Sequence, residues 1–301
     1  MTAKILCVGI AVLDLIYGVE KLPSTDGKLN ALSYTESGGG MAANAAVAIQ
    51  RLGGEGWWCG RLGEDEIGRR IRDGLLDENV NVRLGRIFKG VSSPHSIVLV
   101  DREGNRALVL YRPASLDPDP SWLPMSAILD FDAVLTDNRW IDGAVRVLSA
   151  AKKRGIPGVL DADSASDKSP LRAVAEASHV IFSKDGLSEL FDVEDPEAGL
   201  RQAIRYAPFA AVTLGADGVM WLANGGPVQS MPAFSILAKE TVGAGDIFHG
   251  AFTLALIEGA GVEGALRFAS AAAALKCARE GGRSGFPHRA EIEDFLRTNN
   301  R

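Results

Sequence analysis

Cysteine is scarce in this chain, and long apolar or basic runs are missing. Cys7, Cys59 and Cys277 are far apart and odd in number, which argues against a disulfide framework or a zinc site. No stretch approaches the roughly 18 uninterrupted apolar residues of a membrane helix. The net charge of −6 comes without a long basic run, so neither a membrane nor nucleic acid is an expected partner. These absences favour a cytoplasmic location.

Two common nucleotide-binding motifs are also absent. The chain has no Gly-Lys-Ser/Thr phosphate loop, and no Gly-x-Gly-x-x-Gly follows its first apolar run. The first absence argues against a P-loop nucleoside triphosphatase, and the second against a dinucleotide-dependent oxidoreductase. The composition itself is ordinary for a globular protein, because 47% of the 301 residues are hydrophobic. That is enough for a substantial core.

Short apolar runs alternate with helical patterns along the chain. Continuous apolar strands separated by helices predict an α/β fold with a parallel sheet covered on both faces. In such sheets ligands bind beyond the carboxyl ends of the strands. The predicted strands cover residues 5–10, 56–60, 133–136, 158–161, 180–182 and 210–214, and the predicted helices cover 41–52, 66–78, 142–154, 197–206, 244–258 and 262–280.

Two stretches, at about 28–36 and 96–112, break this alternation. The second contains the turn sequence Asp101-Arg-Glu-Gly-Asn105, which is typical of a β-hairpin. We expect the two stretches to form a small β-sheet that stands off the main domain as a lid or an oligomer surface. Residues 1–301 are expected to form one domain, because no repeat, low-complexity segment or linker divides them.

The most informative stretch is a glycine-rich turn, Glu240-Thr-Val-Gly-Ala-Gly-Asp246, that leads into a long apolar helix. Its glycines allow a close backbone approach to a ligand, and the amides of Gly243, Ala244 and Gly245 would face an anion at the helix N-terminus. A carboxylate beside such an anion hole suits phosphoryl transfer, with Asp246 as the base for an incoming hydroxyl. The alternative is that Asp246 caps the helix, and the pattern alone leaves both open.

Other features are compatible with a ligand site and also with plainer structures. Gly38-Gly39-Gly40 opens the helix that carries Asn44, Asp14 ends the first apolar run, and Thr213-Leu-Gly-Ala-Asp-Gly218 follows another. Each of the three is either a ligand contact or a plain structural feature. The plain alternatives are a loop-to-helix turn for the glycines, a loop carboxylate for Asp14 and a hairpin turn for residues 213–218. His249 lies three residues after Asp246, near the same helix face, and either faces the site or packs against the core.

Three segments, in order, resemble the ribokinase-like (PfkB) family of carbohydrate kinases. GGGMAANAAVAIQRLGG is similar to its N-terminal signature, VTLGADGV to its ATP-contacting strand and turn, and ETVGAGDIFHGAF to its C-terminal signature. The resemblance covers essentially the whole chain. It implies a three-layer αβα sandwich with a central, mostly parallel sheet and a small β-sheet lid. It also implies an ATP-dependent sugar kinase that uses Mg²⁺ and a monovalent cation such as K⁺, and a homodimer formed through the lid strands.

The resemblance implies roles for individual residues as well. It makes Asp246 the catalytic base, with Gly243, Ala244 and Gly245 as the anion hole. The implied sugar contacts are Asp14, Gly39, Gly40 and Asn44, and the implied ATP contacts are Ser183, Thr213, Gly215, Gly218, Gly243 and Gly245.

Within the family, the chain resembles two groups of members. CVGIAVLDLIYGVEKLP, Asn138-Arg-Trp140 and ALKCAREGGRSGFP are similar to enzymes that phosphorylate the C1 hydroxyl of 6-deoxy-6-sulfofructose, and Asn105-Arg-Ala-Leu-Val-Leu110 and Phe182-Ser-Lys-Asp185 are similar to ketohexokinases. By the first of these similarities Lys28 and Arg139 hold the sulfonate. Leu110 stands where the sulfofructose-phosphorylating members carry an asparagine, and Arg112 is either its replacement or a solvated arginine. The alternatives are a fructokinase, ketohexokinase or ribokinase-type enzyme for a neutral sugar and, in another class, a catalytically silent sugar- or nucleotide-binding protein.

The chain departs from the family pattern at two further places. Glu240 replaces the aspartate that opens the C-terminal signature, beside the implied monovalent-cation site. Ser183-Lys-Asp-Gly186 replaces the family's Asn-x-x-Glu motif, so coordination of the metal must be arranged differently. Asp161 and Asp185 are the candidate metal ligands, and the alternative for each is a solvated loop carboxylate.

Overall fold

The computed structural model describes residues 2–116, 118–223 and 225–299. The predicted single domain also includes Met1, Asp117, Asn224, Asn300 and Arg301, which lie outside the described residues. Within the described ranges, no helix has the length and apolar character needed to cross a membrane.

Strands and helices alternate as the sequence predicts. The strands are β1 Lys4–Val8, β2 Val12–Gly18, β3 Ser33–Gly39, β4 Glu55–Cys59, β5 Arg61–Gly63, β6 Arg86–Phe88, β7 His95–Val100, β8 Arg106–Tyr111, β9 Ala133–Asp137, β10 Gly158–Ala162, β11 His179–Ser183, β12 Phe209–Thr213, β13 Val219–Ala223 and β14 Gln229–Met231. The α-helices are α1 Met41–Arg51, α2 Glu66–Asp77, α3 Ile141–Arg154, α4 Leu171–Val174, α5 Lys184–Phe191, α6 Pro196–Ala203, α7 Ala244–Ile257, α8 Gly261–Cys277 and α9 Arg289–Thr298.

The main sheet has eight strands among the described residues, in the order β14-β13-β12-β11-β10-β9-β1-β4. The run from β12 to β4 is parallel, and β13 and β14 are added antiparallel as a meander. Alternate residues of a strand enter different cores: Ile5 and Cys7 pack with α1, α7 and α8, whereas Leu6 and Val8 pack with α3, α5 and α6. The sheet is therefore covered on both faces, which confirms the predicted three-layer sandwich.

A second sheet, with the order β3-β2-β7-β8, forms the lid. Its strand β2 was not predicted, because the apolar residues after β1 continue into β2 without a turn signal in the sequence. Strand β3 begins at Ser33, later than the predicted start near residue 28, and residues 28–32 belong to the connection between β2 and β3. Asp14 correspondingly lies inside a lid strand and not at the carboxyl end of the first strand.

The carboxyl ends of the parallel strands meet along one edge of the main sheet. Asp137 of β9 is in register with Asp161 of β10, and Ser183 of β11 is in register with Thr213 of β12. The edge thus gathers polar side chains that are far apart in sequence, which is where an open α/β sheet binds its ligands.

Candidate active site

A cavity of about 170 Å³ lies between the lid and this edge of the sheet. The lid contributes His95, Leu110 and Tyr111. The volume of the cavity is small compared with the ~300–1,000 Å³ of a site for a drug-sized ligand, and it suits a small molecule such as a sugar. Of the predicted site residues, those that line it are Asp14, Gly40, Arg112, Arg139 and Asp246.

Asp246 lies at the third position of α7, and it does not cap that helix. The N-cap is Gly243, which is in the left-handed conformation with φ 77° and has no side chain, so no side-chain hydrogen bond caps the helix. The carboxylate of Asp246 instead accepts a 2.6 Å hydrogen bond from Nδ2 of Asn44, which lies on α1. The capping interpretation of Asp246 is therefore wrong, and its carboxylate is turned toward the cavity.

The electrostatic surroundings of Asp246 suit a general base. Burial raises its pKa from 3.8 to about 6, assisted by the negative charges of Asp137 and Asp163 and opposed by the Asn44 hydrogen bond and by Arg283. A carboxylate with a pKa near the working pH is largely ionised at pH 7 yet still basic enough to accept a proton. Perturbed carboxylates of this kind gather at functional sites.

The glycine turn at the start of α7 leaves backbone donors open to a ligand. In the described part of the chain, the amides of Gly243 and Gly245 have no hydrogen-bond partner, and a side chain placed at Gly245 would meet no atom within 4 Å. The amide of Ala244 differs from the prediction, since it donates to the carbonyl of Thr241 at 3.2 Å and is engaged in the turn. The unpaired amides at this helix N-terminus form the candidate anion site.

Two of the three glycines before α1 make room for charged side chains. A Cβ on Gly38 would overlap the guanidinium of Arg283, and a Cβ on Gly39 would overlap the carboxylate of Asp14. Arg283 donates from Nε to Oδ1 of Asn44 at 2.9 Å and from Nη2 to the carbonyl of Gly39 at 3.3 Å. Burial lowers the pKa of Arg283 to about 10, so it remains charged near neutral pH. Arg283 thereby fixes which end of the Asn44 amide faces Asp246.

Asp14 reaches the cavity from the lid. Its carboxylate accepts a 2.5 Å hydrogen bond from the hydroxyl of Ser96 on the neighbouring strand β7. Burial raises its pKa, and the Ser96 hydrogen bond and the charge of Arg283 oppose that rise. A carboxylate held in this way can accept hydrogen bonds from sugar hydroxyls.

Two arginines also line the cavity. Arg139 donates from Nη2 to Asp163 at 2.5 Å and from Nη1 to the carbonyl of Ser164 at 2.7 Å. Arg112 is exposed at the mouth of the cavity. Its partial desolvation, followed by the nearby positive charge of Arg139, lowers its pKa. Lys28, by contrast, is exposed and is not part of the cavity wall, because it lies beyond the ends of the lid strands.

The predicted ATP contacts lie along the edge of the sheet next to α7. Ser183 caps α5 by accepting from the amide of Gly186 at 3.0 Å, and its hydroxyl donates to Asp163 at 2.9 Å. Thr213 begins the tight turn between β12 and β13. Gly218 in that turn has φ 94° and is crowded by the backbone of Met231, whereas Gly215 has φ 60° and faces open space. Gly218 is therefore a hairpin-turn residue, as one of the two interpretations predicts. Gly215 leaves backbone surface open to a ligand.

The predicted metal ligands do not lie together. Asp161 is buried, 3.3 Å from Nδ1 of His249, and burial raises its pKa; Asp185 is exposed in the first turn of α5. No group of three or more histidine, cysteine, aspartate or glutamate side chains at metal-binding distances occurs in the described ranges. His249 packs inside the core, bound to the carbonyls of Gly245 and Ile181.

Three residues of the site were not predicted from the sequence: Asp137, Asp163 and Arg283. Asp137 is fully buried and accepts from the amides of Ile10, Ala42 and Arg139, which ties β9 to the start of α1. Asp137 and Asp163 both follow apolar runs that end at the carboxyl edge, and that position was the available signal. Arg283 gave no local signal, because only the tertiary fold brings residue 283 to residue 44.

Comparisons with known proteins agree with this geometry. The pattern that defines the pfkB family carbohydrate kinases matches residues 2–289. The chain belongs to the pfkB family of carbohydrate kinases. Family membership confirms the prediction of an ATP-dependent sugar kinase. It does not support the alternative of a catalytically silent sugar- or nucleotide-binding protein.

Relatives of this pfkB kinase include enzymes for different sugars. It is 30% identical to a ribokinase of Bacillus subtilis over 300 residues, covering 97% of this chain and 99% of the relative. It is 28% identical to a fructokinase of Klebsiella pneumoniae over 328 residues, covering 98% and 100%. A solved structure from Agrobacterium tumefaciens, described as a candidate ribokinase, is 35% identical, covers 100% of both chains and superposes with a TM-score of 0.95. An Arabidopsis thaliana ribokinase structure with ribose and ATP, 24% identical and covering 98% and 99%, superposes with a TM-score of 0.86 and shares the fold.

Proposed function

We propose that this kinase transfers the γ-phosphate of ATP to a primary hydroxyl of a sugar that carries an anionic group, and that the substrate is 6-deoxy-6-sulfofructose, phosphorylated at C1. The observation that carries the proposal is the pair of guanidinium groups of Arg112 and Arg139 in the wall of the cavity that also holds Asp14 and Asp246. Two neighbouring cations at a cavity wall favour an anionic ligand.

The placement of charges supports an orientation for the sugar. The hydroxyl to be phosphorylated lies at Asp246, the middle hydroxyls lie at Asp14, and the anionic group lies at the two arginines. Arg112 is the stronger candidate for the anion contact because Arg139 already contacts Asp163 and Ser164. Arginine suits a three-oxygen anion because its planar fork donates in parallel and stays charged.

The glycine turn and Asp246, which follows it, together suit phosphoryl transfer. The sugar oxygen forms a bond to the γ-phosphorus, its proton passes to the carboxylate of Asp246, and the bond from the γ-phosphorus to the bridging oxygen breaks to release ADP. The unpaired amides of Gly243 and Gly245 stabilise the charge on the transferred phosphoryl group. Ser183, Thr213 and Gly215 would border the nucleotide along the same edge.

Magnesium would enter with the nucleotide. Mg²⁺ is held mainly by phosphates and water with one or two protein carboxylates, so it does not require a closed protein cage. Asp163 is the carboxylate of this edge that lines the cavity, and we propose it as the better-placed ligand than the buried Asp161 or the exposed Asp185. The bound ion would neutralise phosphate charge during transfer.

A kinase for a neutral sugar is the second candidate. The observation that favours it is the pairing of Arg139 with Asp163, which satisfies this guanidinium without a ligand. The similarity to a ribokinase and a fructokinase points in the same direction. In that case Arg112 and Arg139 would hold the lid and the edge of the sheet in place.

A coupled ADP-release assay across sulfofructose, fructose and ribose separates the two candidates. Charge-assisted hydrogen bonds contribute roughly 1.5–3 kcal/mol each, so two of them give an expected preference in kcat/KM on the order of 10²–10⁴ for the anionic sugar. Arg112→Ala and Arg139→Ala should each lower that preference by a factor of about 10–10², the contribution of one such hydrogen bond, and Arg146→Ala, at an exposed position of α3, is the matched control. Equal kcat/KM values for sulfofructose and fructose would reject the anionic substrate and leave the neutral-sugar kinase.

We also propose that the lid mediates a homodimer. The lid's edge strand β8 exposes apolar side chains, among them Leu108 at 56% and Val109 at 64% of their surface. An exposed apolar edge strand is a surface that soluble proteins usually cover. A second lid would cover it and would also stiffen the roof of the sugar cavity.

A further inference from the structure

One buried charge in the molecule has no part in the chemistry described so far. Lys276, near the end of α8, is 0% exposed, whereas lysine is almost never fully buried unless it is paired. Its ammonium lies 3.4 Å from Oε1 of Glu240 and 3.4 Å from the carbonyl oxygen of Arg279. Glu240 opens the loop that ends at the candidate anion site.

Glu240 links this ammonium to the turn at the start of α7. Its two carboxylate oxygens accept hydrogen bonds from the amides of Gly281 and Gly282, at 2.8 and 3.0 Å. Its own amide donates to the carbonyl of Cys277 at 3.2 Å. The residue that follows Glu240, Thr241, accepts from the amide of Ala244. The position of Glu240 therefore fixes the start of the turn whose other end presents the amides of Gly243 and Gly245.

The ammonium lies beside two oxygen atoms that could otherwise bind a monovalent cation. A carboxylate oxygen and a backbone carbonyl oxygen converge on Lys276, and such oxygens are also ligands for a hydrated or partly dehydrated metal cation. A lysine ammonium is a compact unit charge with donors on three sides. The residues present do not fit a bound K⁺ in addition, because a second cation there would meet the ammonium at short range.

We propose that the ammonium of Lys276 replaces a monovalent metal cation beneath the anion site, so that this kinase works without K⁺. Lys276 is a positioning residue: it acts through Glu240 and the turn at Gly243, and it touches neither the sugar nor the nucleotide. This inference rests on the proposed role of the Glu240–Asp246 loop in phosphoryl transfer.

The first test compares salts at constant ionic strength. The turnover of the parent enzyme should change by less than about twofold when KCl is replaced by NaCl or choline chloride. In Lys276→Ala, which leaves space for an ion beside Glu240, kcat in choline chloride should fall by at least about tenfold, equivalent to ~1.4 kcal/mol. The KM for the sugar should change little, because the sugar cavity is not altered. KCl or ammonium chloride should restore much of the lost turnover.

Rescue separates positioning from a merely structural role, since a loss caused by poor packing does not respond to K⁺. The double variant Glu240→Gln/Lys276→Ala lacks the carboxylate that would hold the ion, and it should show no rescue. Lys152→Ala, which removes an exposed lysine from α3, is the matched control and should behave as the parent does in every salt.

Thermal melting keeps the inference testable if Lys276→Ala has little activity. The melting temperature of this variant should rise in KCl relative to choline chloride, while that of the parent should not. Stimulation of the parent by K⁺ of tenfold or more would overturn the inference. So would a Lys276→Ala variant whose turnover and melting match the parent in choline chloride, or whose losses no cation repairs. If the parent phosphorylated no sugar, the proposed function would fail, and the melting responses would still decide the role of Lys276.

Discussion

Asn44 donates a 2.6 Å hydrogen bond from its side-chain amide to the carboxylate of Asp246, joining helix α1 to helix α7 across the candidate site. The side-chain amide of Asn44 is held in this orientation, because its oxygen accepts a hydrogen bond from the buried guanidinium of Arg283. A chain of three side chains thus orients the carboxylate that we propose as the base. Orientation of this kind contributes to rate as well as to binding.

We expect Asp246→Asn to retain the fold and ATP binding but to lose turnover. General base catalysis is worth about 10²–10⁴-fold, so kcat should fall by that factor or more. Single-turnover kinetics with a titration of ATP binding would measure both effects. A variant that keeps kcat within a few-fold of the parent would show that Asp246 is not the base.

The same substitution should stabilise the protein above pH 6. The folded-state pKa of Asp246, about 6, lies above its ordinary value of 3.8, so the folded state binds the proton more tightly than the unfolded state does. The parent therefore loses stability as the pH rises from about 4 to 6. Asp246→Asn should melt at a higher temperature than the parent at pH 8, and the difference should shrink at pH 4. An advantage of equal size at both values would contradict the raised pKa.

The pH dependence of kcat should show an acid limb near pH 6, because the base must be ionised to accept a proton. Arg283 lowers the pKa of Asp246 by its charge, so Arg283→Met should move this limb to higher pH. Rates measured from pH 5 to 9 for both proteins would check the shift. Arg279→Met, which removes a surface ion pair with Glu291, is the control and should leave the limb in place.

Gly245→Val should impair the use of ATP more than the binding of sugar. Its Cβ would enter open space at the unpaired amides, so the fold tolerates the side chain while a phosphate would meet it. The KM for ATP should rise and kcat should fall. Gly243→Ala is the contrasting variant, because φ 77° and the ring of Phe286 oppose a side chain there; it should lower the melting temperature. Unchanged ATP kinetics in Gly245→Val would place the nucleotide elsewhere.

Val109→Glu should dissociate the proposed lid dimer. Val109 exposes 64% of its surface on the edge strand of the lid, and a charge buried in an apolar interface without a partner is unfavourable. Light scattering coupled to gel filtration should give twice the mass of one chain for the parent and the mass of one chain for the variant. Glu103→Gln, in the exposed turn between β7 and β8, should stay dimeric. A parent with the mass of a single chain at all concentrations would exclude the dimer.

The sequence by itself determined the features whose physics is local. Alternating apolar strands and helices predicted the layered sheet, and a contiguous glycine turn followed by an aspartate predicted an anion site with a carboxylate beside it. Torsion freedom, unpaired amides and the helix dipole all act within a few residues of one another. For the same reason the sequence could not choose between a cap and a base for Asp246. That choice depends on Asn44, which is 202 residues away.

Only the tertiary structure decided which distant side chains share the site. It placed Asp14 in a lid strand that continues an unbroken apolar run, left Lys28 outside the cavity, and brought Arg112 next to Arg139. It also buried Arg283 against Asn44 and Lys276 against Glu240. These pairings depend on strand order and register and on helix packing, which depend on the whole fold and not on any short stretch of residues. A lone lysine near the end of a helix carries no sign that it will be fully buried, because its burial follows from the loops that fold over it.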